Sequence, residues 1–161
     1  MSQPLIRPIQ QSDNSQIAQA IRSVLIELGV PKVGTAYEDA SLDCMFETYK
    51  KHGSSYFIVE ENGTVIGGGG VAQLDNFEGP VCELQKMYFL PVARGRGLGT
   101  QMIDTCLNSA KEMGYEQCYL ETMSYMEAAQ KLYHRYGFLK LDGPMGDTGH
   151  FACGVHMIKK L

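Results

Sequence analysis

A chain of 161 residues with a net charge of −4 has the size of one domain, and 44% hydrophobic with 20% charged residues is ordinary for a globule. The acidic balance argues against nucleic acid or an anionic membrane as the main partner. No apolar run approaches the ~20 residues of a membrane span, and the polar N-terminus lacks a signal-peptide core. Five scattered cysteines without a C-x-x-C pair indicate reduced thiols, so we expect a cytoplasmic protein with one domain over residues 1–161.

The first half of the chain predicts a strand, two helices and a hairpin. In chain order these are a strand at residues 5–9, a helix from Asp13 towards Gly29, a loop at 29–40, a helix at 42–51, and strands at 56–60 and 64–66. Asp13 is placed to cap the first helix. Asn62-Gly63 is a strong signal for a tight hairpin turn. Four glycines at 67–70 indicate a bulge, the close approach of a ligand or a weak strand end.

The second half predicts alternating strands and helices, without a repeat, linker or low-complexity stretch. The predicted elements are a strand at 81–90, a helix at 98–113, a strand at 117–122, a helical run at 127–138 and a closing strand at 149–161. The first of these helices has one broad apolar face, formed by Leu98, Met102, Ile103, Cys106, Leu107, Ala110 and Met113. Gly114 is placed to stop it in a left-handed conformation.

A glycine-rich segment, Arg94-Gly95-Arg96-Gly97-Leu98-Gly99-Thr100, joins the strand at 81–90 to the following helix. Its backbone N–H groups can face a ligand without obstruction, and a helix N-terminus adds unsatisfied amides and a positive dipole end. The segment therefore predicts an anion site, best suited to a diphosphate. Thr100-Gln101 after the last glycine excludes a P-loop, and Met102 stands where a dinucleotide-binding turn needs glycine. For this stretch alone, a turn without chemical function is the alternative.

The R-x-x-G-x-G spacing that begins at Arg94 resembles the coenzyme A pyrophosphate loop of the GNAT superfamily of N-acetyltransferases. Glu83 stands eleven residues earlier, where that family commonly has a glutamate. Residues 127–138 are similar to the family signature A-x-x-L-Y-x-x-x-G-F, with Tyr133 in the tyrosine position. The resemblance implies a single-domain α/β fold of order β-α-α-β-β-β-α-β-α-β-β. Its sheet is mixed, mostly antiparallel and twisted, with a splayed parallel central strand pair and helices on both faces.

The resemblance also implies acetyl transfer from acetyl-CoA to a primary amine. An ammonium of pKa near ~10.4 must lose a proton, and the leaving thiolate must be protonated or stabilised. Glu83 is the first candidate base, Glu121 at the end of the next strand is the second, and solvent is the third alternative. Tyr133 is the candidate general acid, and its alternative is a core aromatic.

Acetyl-CoA binding follows from the same resemblance. The pantetheine arm is expected to pair with backbone groups of Met87, Tyr88 and Phe89. The pyrophosphate is expected to meet the amides of Gly95, Arg96, Gly97, Leu98, Gly99 and Thr100, with the side chain of Arg94 or Arg96. Met126 departs from the family, because many members have asparagine there.

The acceptor is expected to meet the loop at 29–42 and the stretch at 143–151. The acidic pair Glu38-Asp39 indicates a cationic acceptor, although a solvated loop explains it equally well. A small molecule is favoured over protein lysines or N-termini, and a homodimer is left open. The alternative function is a non-catalytic acetyl-CoA-binding or sensing module. His150, Cys153 and His156 would point to opposite faces of a strand, so we expect no metal.

Overall fold

The computed structural model describes residues 2–161, whose seven strands form one sheet in the order β1-β2-β3-β4-β5-β7-β6. The strands are β1 Leu5–Pro8, β2 Ser55–Glu61, β3 Thr64–Gln73, β4 Val81–Phe89, β5 Gln117–Thr122, β6 Leu139–Leu141 and β7 Val155–Lys160. The helices are α1 Asn14–Glu27, α2 Met45–Thr48, α3 Leu98–Glu112 and α4 Glu127–Arg135. The predicted order of strands and helices is confirmed. No helix within residues 2–161 combines the length and apolarity needed to cross a membrane.

The central strands β4 and β5 form the parallel pair of this sheet, whose other neighbours are antiparallel. The two strands pair at only three positions, Val81 with Gln117, Cys82 with Cys118 and Glu83 with Tyr119. Beyond Glu83 they diverge, so the second half of β4 has no strand partner on its β5 side. This fork between the strands is the predicted splayed pair, and it provides the opening for a site.

Helices cover both faces of the sheet, as predicted. On one face, α1 buries Ile17, Ile21 and Leu25 in a cluster that includes Tyr56. On the other face, α3 buries a second cluster that extends to β4 and β5. Full burial of each such side chain contributes roughly 1.5–3 kcal/mol, so these clusters fix the sheet between the helices and hold the fork in place.

The four-glycine run lies inside β3, where neighbouring side chains occupy the space of the missing ones. A Cβ on Gly68 would lie 2.6 Å from the Tyr56 hydroxyl oxygen, and one on Gly70 would lie 2.5 Å from the Tyr56 ring. A Cβ on Gly67 would lie 2.5 Å from the Phe89 ring. The run is therefore an interior strand on which aromatic rings of β2 and β4 pack closely, and the weak strand end considered from the sequence is wrong.

The irregularity associated with these glycines lies in the opposite strand, β4. Gly68 pairs with Tyr88 but Gly70 pairs with Gln85, which leaves β4 with one residue more than β3 across this interval. Lys86 takes the left-handed conformation there, with φ of 49°. The Tyr56 hydroxyl donates to the Lys86 carbonyl oxygen at 2.8 Å and anchors this bulge.

One local prediction in the first half is wrong, whereas the Asn62-Gly63 turn is confirmed by positive φ at both residues. Asp13 is the N-cap residue of α1, as predicted, but its carboxylate accepts from the Gln10 amide and from Arg7 and makes no capping hydrogen bond to α1. The predicted helix at 42–51 is a 3-10 segment, Ala40–Cys44, followed by the single turn of α2. The Thr48 hydroxyl donates to the Cys44 carbonyl oxygen at 2.8 Å, a back-bond that competes with helix continuation.

Candidate active site

The fork between β4 and β5 opens into a cleft of about 500 Å³. One wall is β4, the floor includes the glycine-rich loop, and the far wall is α4. Of the residues predicted to bind acetyl-CoA, the cleft is lined by Met87, Tyr88, Phe89, Arg94, Gly95, Gly97, Leu98 and Gly99. The structure therefore brings together the predicted pantetheine strand and most of the predicted pyrophosphate loop.

The glycine-rich loop presents free amides to this cleft. Gly95 and Gly97 have φ of 71° and 76°, a conformation that side chains rarely adopt. The Gln101 amide donates to the Gly97 carbonyl oxygen at 3.2 Å, so the preceding amides of α3 have no helical partner. These donors and the positive end of the helix dipole fit a diphosphate.

The two loop arginines have different positions. Arg94 lies on the cleft, where its Nε donates to the Phe89 carbonyl oxygen at 3.1 Å and its guanidinium pairs with Glu27 at 2.7 Å. Arg96 pairs with Glu61 at 2.6 Å and does not line the cleft. Thr100 does not line it either. Of the two arginines that the sequence left open, Arg94 therefore lies at the cleft and Arg96 does not.

A second, smaller cavity of about 50 Å³ lies on the other side of the fork. Its polar lining includes Glu83, Glu121, Lys86 and His150. The volume holds about four water-sized groups. The two cavities share a wall formed by Leu84, Lys86, Tyr88, Glu121, Thr122 and Met126. A group in the small cavity therefore lies next to whatever occupies the cleft.

Both candidate bases line the small cavity, but their surroundings differ. Glu83 is 4% exposed, and burial raises the pKa of its carboxyl to about 7. Its Oε1 accepts from the Gln85 amide at 2.6 Å. Glu121 accepts from the Tyr119 hydroxyl at 2.7 Å on one oxygen and from the Thr148 hydroxyl on the other. Glu121 thus has both oxygens engaged by the protein.

Tyr133 projects from α4 to the wall of the large cleft. Its ring packs edge-on against Phe138 with centroids 5.9 Å apart. Burial raises the pKa of the Tyr133 hydroxyl, so the group keeps its proton at neutral pH. Tyr136, one turn away, instead donates to the Thr100 carbonyl oxygen at 3.2 Å. Of these two tyrosines, the one singled out by the sequence, Tyr133, therefore lines the cleft.

A model of the acetyltransferase (GNAT) family matches residues 21–138. The chain belongs to the GNAT family. It is 42% identical over 159 residues to the "Uncharacterized N-acetyltransferase YjgM" of Escherichia coli K12, a match that covers 98% of this chain and 95% of that protein. The predicted family and enzyme class are therefore confirmed.

Solved GNAT structures agree with the fold of this acetyltransferase. A GNAT-family acetyltransferase from Staphylococcus aureus Mu50 superposes with a TM-score of 0.86 at 20% identity, covering 98% of this chain and 99% of that one. YncA, a putative acetyltransferase from Salmonella typhimurium solved with its cofactor acetyl-CoA, superposes with a TM-score of 0.78 at 21% identity, covering 99% and 94%. The predicted fold class is confirmed, and acetyl-CoA is the donor known from structures of this fold.

The GNAT site contains a charged cluster that the sequence did not reveal. Asp39 accepts from His150 Nε2 at 2.9 Å and pairs with Lys86 Nζ at 3.2 Å. Burial opposes ionisation of His150, but the Asp39 carboxylate outweighs it and raises the pKa of the imidazole. Glu38 accepts from the Gly34 amide at 2.7 Å. The acidic pair that indicated a cationic acceptor is therefore engaged within the protein.

Met126 and the three residues considered as metal ligands remain to be placed in this GNAT protein. Met126 lines both cavities, and its sulfur accepts from the Thr122 hydroxyl at 3.4 Å. The strand predicted at 149–161 begins only at Val155, so the expected placement of all three on a strand is wrong. His150 and Cys153 lie before that strand and both line the small cavity, whereas the His156 ring stacks against Tyr119 with centroids 6.4 Å apart. Among residues 2–161, no group of His, Cys, Asp and Glu has the arrangement of a metal site.

Proposed function

We propose that this acetyltransferase transfers the acetyl group of acetyl-CoA to a primary amine by direct attack, with Glu83 as the base and Tyr133 as the acid. When bound, acetyl-CoA supplies an acetyl thioester whose carbonyl carbon the amine attacks and whose sulfur leaves. The single observation that carries the proposal is the position of the buried Glu83 carboxyl. It lines a small cavity that shares a wall with the predicted donor cleft.

Glu83 is favoured over Glu121 by its protonation chemistry and by its free oxygen. A base with a pKa of about 7 is ionised in half of the molecules at neutral pH and still binds a proton well. The Glu83 oxygen not engaged by Gln85 is available to an ammonium directly or through a water. To accept a proton, Glu121 would first have to lose a hydrogen bond from the Tyr119 or the Thr148 hydroxyl, which supports a role in shaping the cavity.

The donor would be held by groups that the cleft already presents. The unpaired strand edge of Met87, Tyr88 and Phe89 offers backbone donors and acceptors to the amides of the pantetheine arm. The glycine-rich loop offers N–H groups to the pyrophosphate, and Arg94 adds a cation at the rim. Tyr133 offers a neutral hydroxyl on the same cleft, which can donate to the departing sulfur.

A small amine is the proposed acceptor, because two segments enclose the small cavity. Ala152 donates from its amide to the Gly34 carbonyl oxygen at 3.0 Å, and the Phe151 ring packs directly over Gly34. The 29–42 loop and the segment before β7 are thus joined over the cavity. A short aminoalkyl head matches the volume of about 50 Å³, and we propose that the rest of the acceptor is correspondingly small.

The test is thiol release from acetyl-CoA with panels of small amines, amino acids, polyamines and lysine peptides. We expect turnover with a small amine, and Glu83→Gln should lower kcat by roughly 10²–10⁴ with little change in cofactor binding. Glu121→Gln is the matched control and should lose far less. Cofactor binding without turnover on any amine would favour the sensing module, and a selective loss in Glu121→Gln would move the base to that residue.

A further inference from the structure

Beside the proposed base lies a chain of buried hydrogen bonds that the acetyl-transfer steps do not use. The Tyr49 hydroxyl donates to the Gln85 amide oxygen at 2.6 Å, and the Gln85 amide nitrogen donates to Glu83 Oε1 at 2.6 Å. Tyr49 is 5% exposed and follows α2, and Gln85 and Glu83 are two residues apart on one face of β4. The end of α2 is thus connected to the Glu83 carboxylate of β4 through one amide side chain.

The direction of this chain is fixed at its carboxylate end. A tyrosine hydroxyl can donate or accept, so Tyr49 alone would allow either orientation of the Gln85 amide. The ionised Glu83 carboxylate only accepts, so the NH₂ group is held towards Glu83 and the amide oxygen towards Tyr49, whose hydroxyl donates. Burial of Tyr49 raises the pKa of its hydroxyl, so it keeps its proton at neutral pH.

We infer that Tyr49 and Gln85 are positioning residues that hold one oxygen of Glu83 and leave the other aimed at the acceptor. The inference rests on the proposed role of Glu83 as base. An amide donor stabilises the ionised carboxylate, so the pair also limits how far burial raises the affinity of Glu83 for a proton. A base that was buried without this donor would be protonated, and hence inactive, over more of the neutral range.

Other ionisable groups face Glu83 and must stay constant for the test to be clear. They are Glu121 and Tyr119 from β5, Lys86 from β4, and His150 and Cys153 from the segment before β7, with Asp39 between Lys86 and His150. Gln85→Met removes the donor with little change in length and leaves all of these groups in place. Tyr49→Phe removes one hydroxyl and keeps a ring that packs 5.0 Å from Tyr56.

The experiment is a titration of the Glu83 carboxyl in the ligand-free protein by ¹³C NMR, with the signal assigned by its absence in Glu83→Gln. We expect Gln85→Met to raise the pKa of Glu83 by about one unit, and Tyr49→Phe to raise it by less, in the same direction. The acid limb of kcat/KM should move to higher pH by the same amounts. Tyr115→Phe is the matched control, because its hydroxyl donates at 2.6 Å to the Gly53 carbonyl oxygen, away from the site. It should leave both profiles unchanged.

Two failures can be told apart. If Glu83→Gln is inactive while the titration is unchanged in both Gln85→Met and Tyr49→Phe, the positioning role is refuted and the base survives. If Glu83→Gln keeps the turnover of the parent, the role of Glu83 as base is refuted. The role of Tyr49 and Gln85 as positioning residues for that base is then refuted as well.

Discussion

At the scale of single residues, the burial that raises the pKa of Glu83 also lowers the stability of the folded protein at neutral pH. Its carboxyl has a pKa of about 7 in the folded protein and an ordinary value of 4.5. The folded state therefore keeps a proton that the unfolded chain releases as pH rises. The contribution of this proton to the free energy of unfolding is fully present below pH ~4. It falls progressively as the pH rises to ~7, by roughly 3 kcal/mol in total.

This sign gives a prediction for Glu83→Gln that is independent of activity. Glutamine cannot ionise, so the variant should be more stable than the parent above pH 7, by up to roughly 3 kcal/mol, and equal to it near pH 4. Urea denaturation at the two pH values measures the difference. A variant that is less stable than the parent at pH 8 would contradict the raised pKa.

Tyr133 provides a second prediction at this scale, because one atom separates its two roles. Tyr133→Phe should keep the ring against Phe138 and preserve the fold. If the hydroxyl donates to the departing sulfur, kcat should fall by roughly 10–10³ while KM for acetyl-CoA changes far less. Steady-state kinetics decides, and Tyr136→Phe, at the residue that follows the same helix, is the control. A kcat within twofold of the parent would assign Tyr133 to the core alone.

At the scale of elements, the glycine loop and the start of α3 should account for coenzyme A binding. Coenzyme A at a hundred times its dissociation constant should stabilise the parent by about 2.7 kcal/mol. Gly97→Val should abolish most of this effect, because a branched side chain strains a φ of 76° and distorts the free amides. Thermal denaturation with and without coenzyme A measures it.

A matched control lies at the other end of the same helix. Gly114 also has a positive φ, 90°, and open space around its Cβ position. Gly114→Val should lower the melting temperature by a similar amount and keep the full response to coenzyme A. An equal loss of response in both variants would show that α3 stability, rather than the loop, controls binding.

The elements also show how far sequence reasoning reaches. The helix face of α3 and the Asn62-Gly63 turn depend on local periodicity and backbone conformation, which neighbouring residues determine. The hydrogen bonds of the Asp13 carboxylate could not be predicted, because its partner Arg7 lies in another element. The same reason applies to Gln85, Lys86 and Asp39. Strand pairing and one bulge bring Gln85 and Lys86 to the fork, and a contact with a distant loop brings Asp39 to Lys86, so no local pattern records these positions.

At the scale of the whole molecule, Asp39, Lys86 and His150 connect the 29–42 loop, β4 and the segment before β7 beside the small cavity. Asp39→Asn should leave Lys86 with uncompensated positive charge beside the proposed position of an incoming ammonium, whereas His150 should lose its charge, because the Asp39 carboxylate is what raises the pKa of the imidazole. We expect KM for the amine to rise roughly tenfold or more, with KM for acetyl-CoA changed far less. Initial rates with each substrate varied in turn measure the two constants.

Asp43→Asn makes the same chemical change nearby without the same consequence. Asp43 pairs with Arg22 on the surface and lies outside the cavity. Exposed ion pairs have little energetic effect, so both Michaelis constants should stay at the parent values. A tenfold rise in this variant too would point to general loosening of the loop.

The glycine run in β3 also determines which residues of β2 and β3 can pair. Strands rich in glycine usually align loosely with their neighbours, because they offer few side chains to distinguish one alignment from another. Here the Tyr56 ring needs bare backbone at both Gly68 and Gly70. A slip of two residues would present Ile66 or Ala72 to that ring and is excluded by collision. The absence of side chains at these glycines thus fixes the pairing of β2 with β3. Because β4 pairs with β3, the position of the cleft along β4 depends on the same pairing.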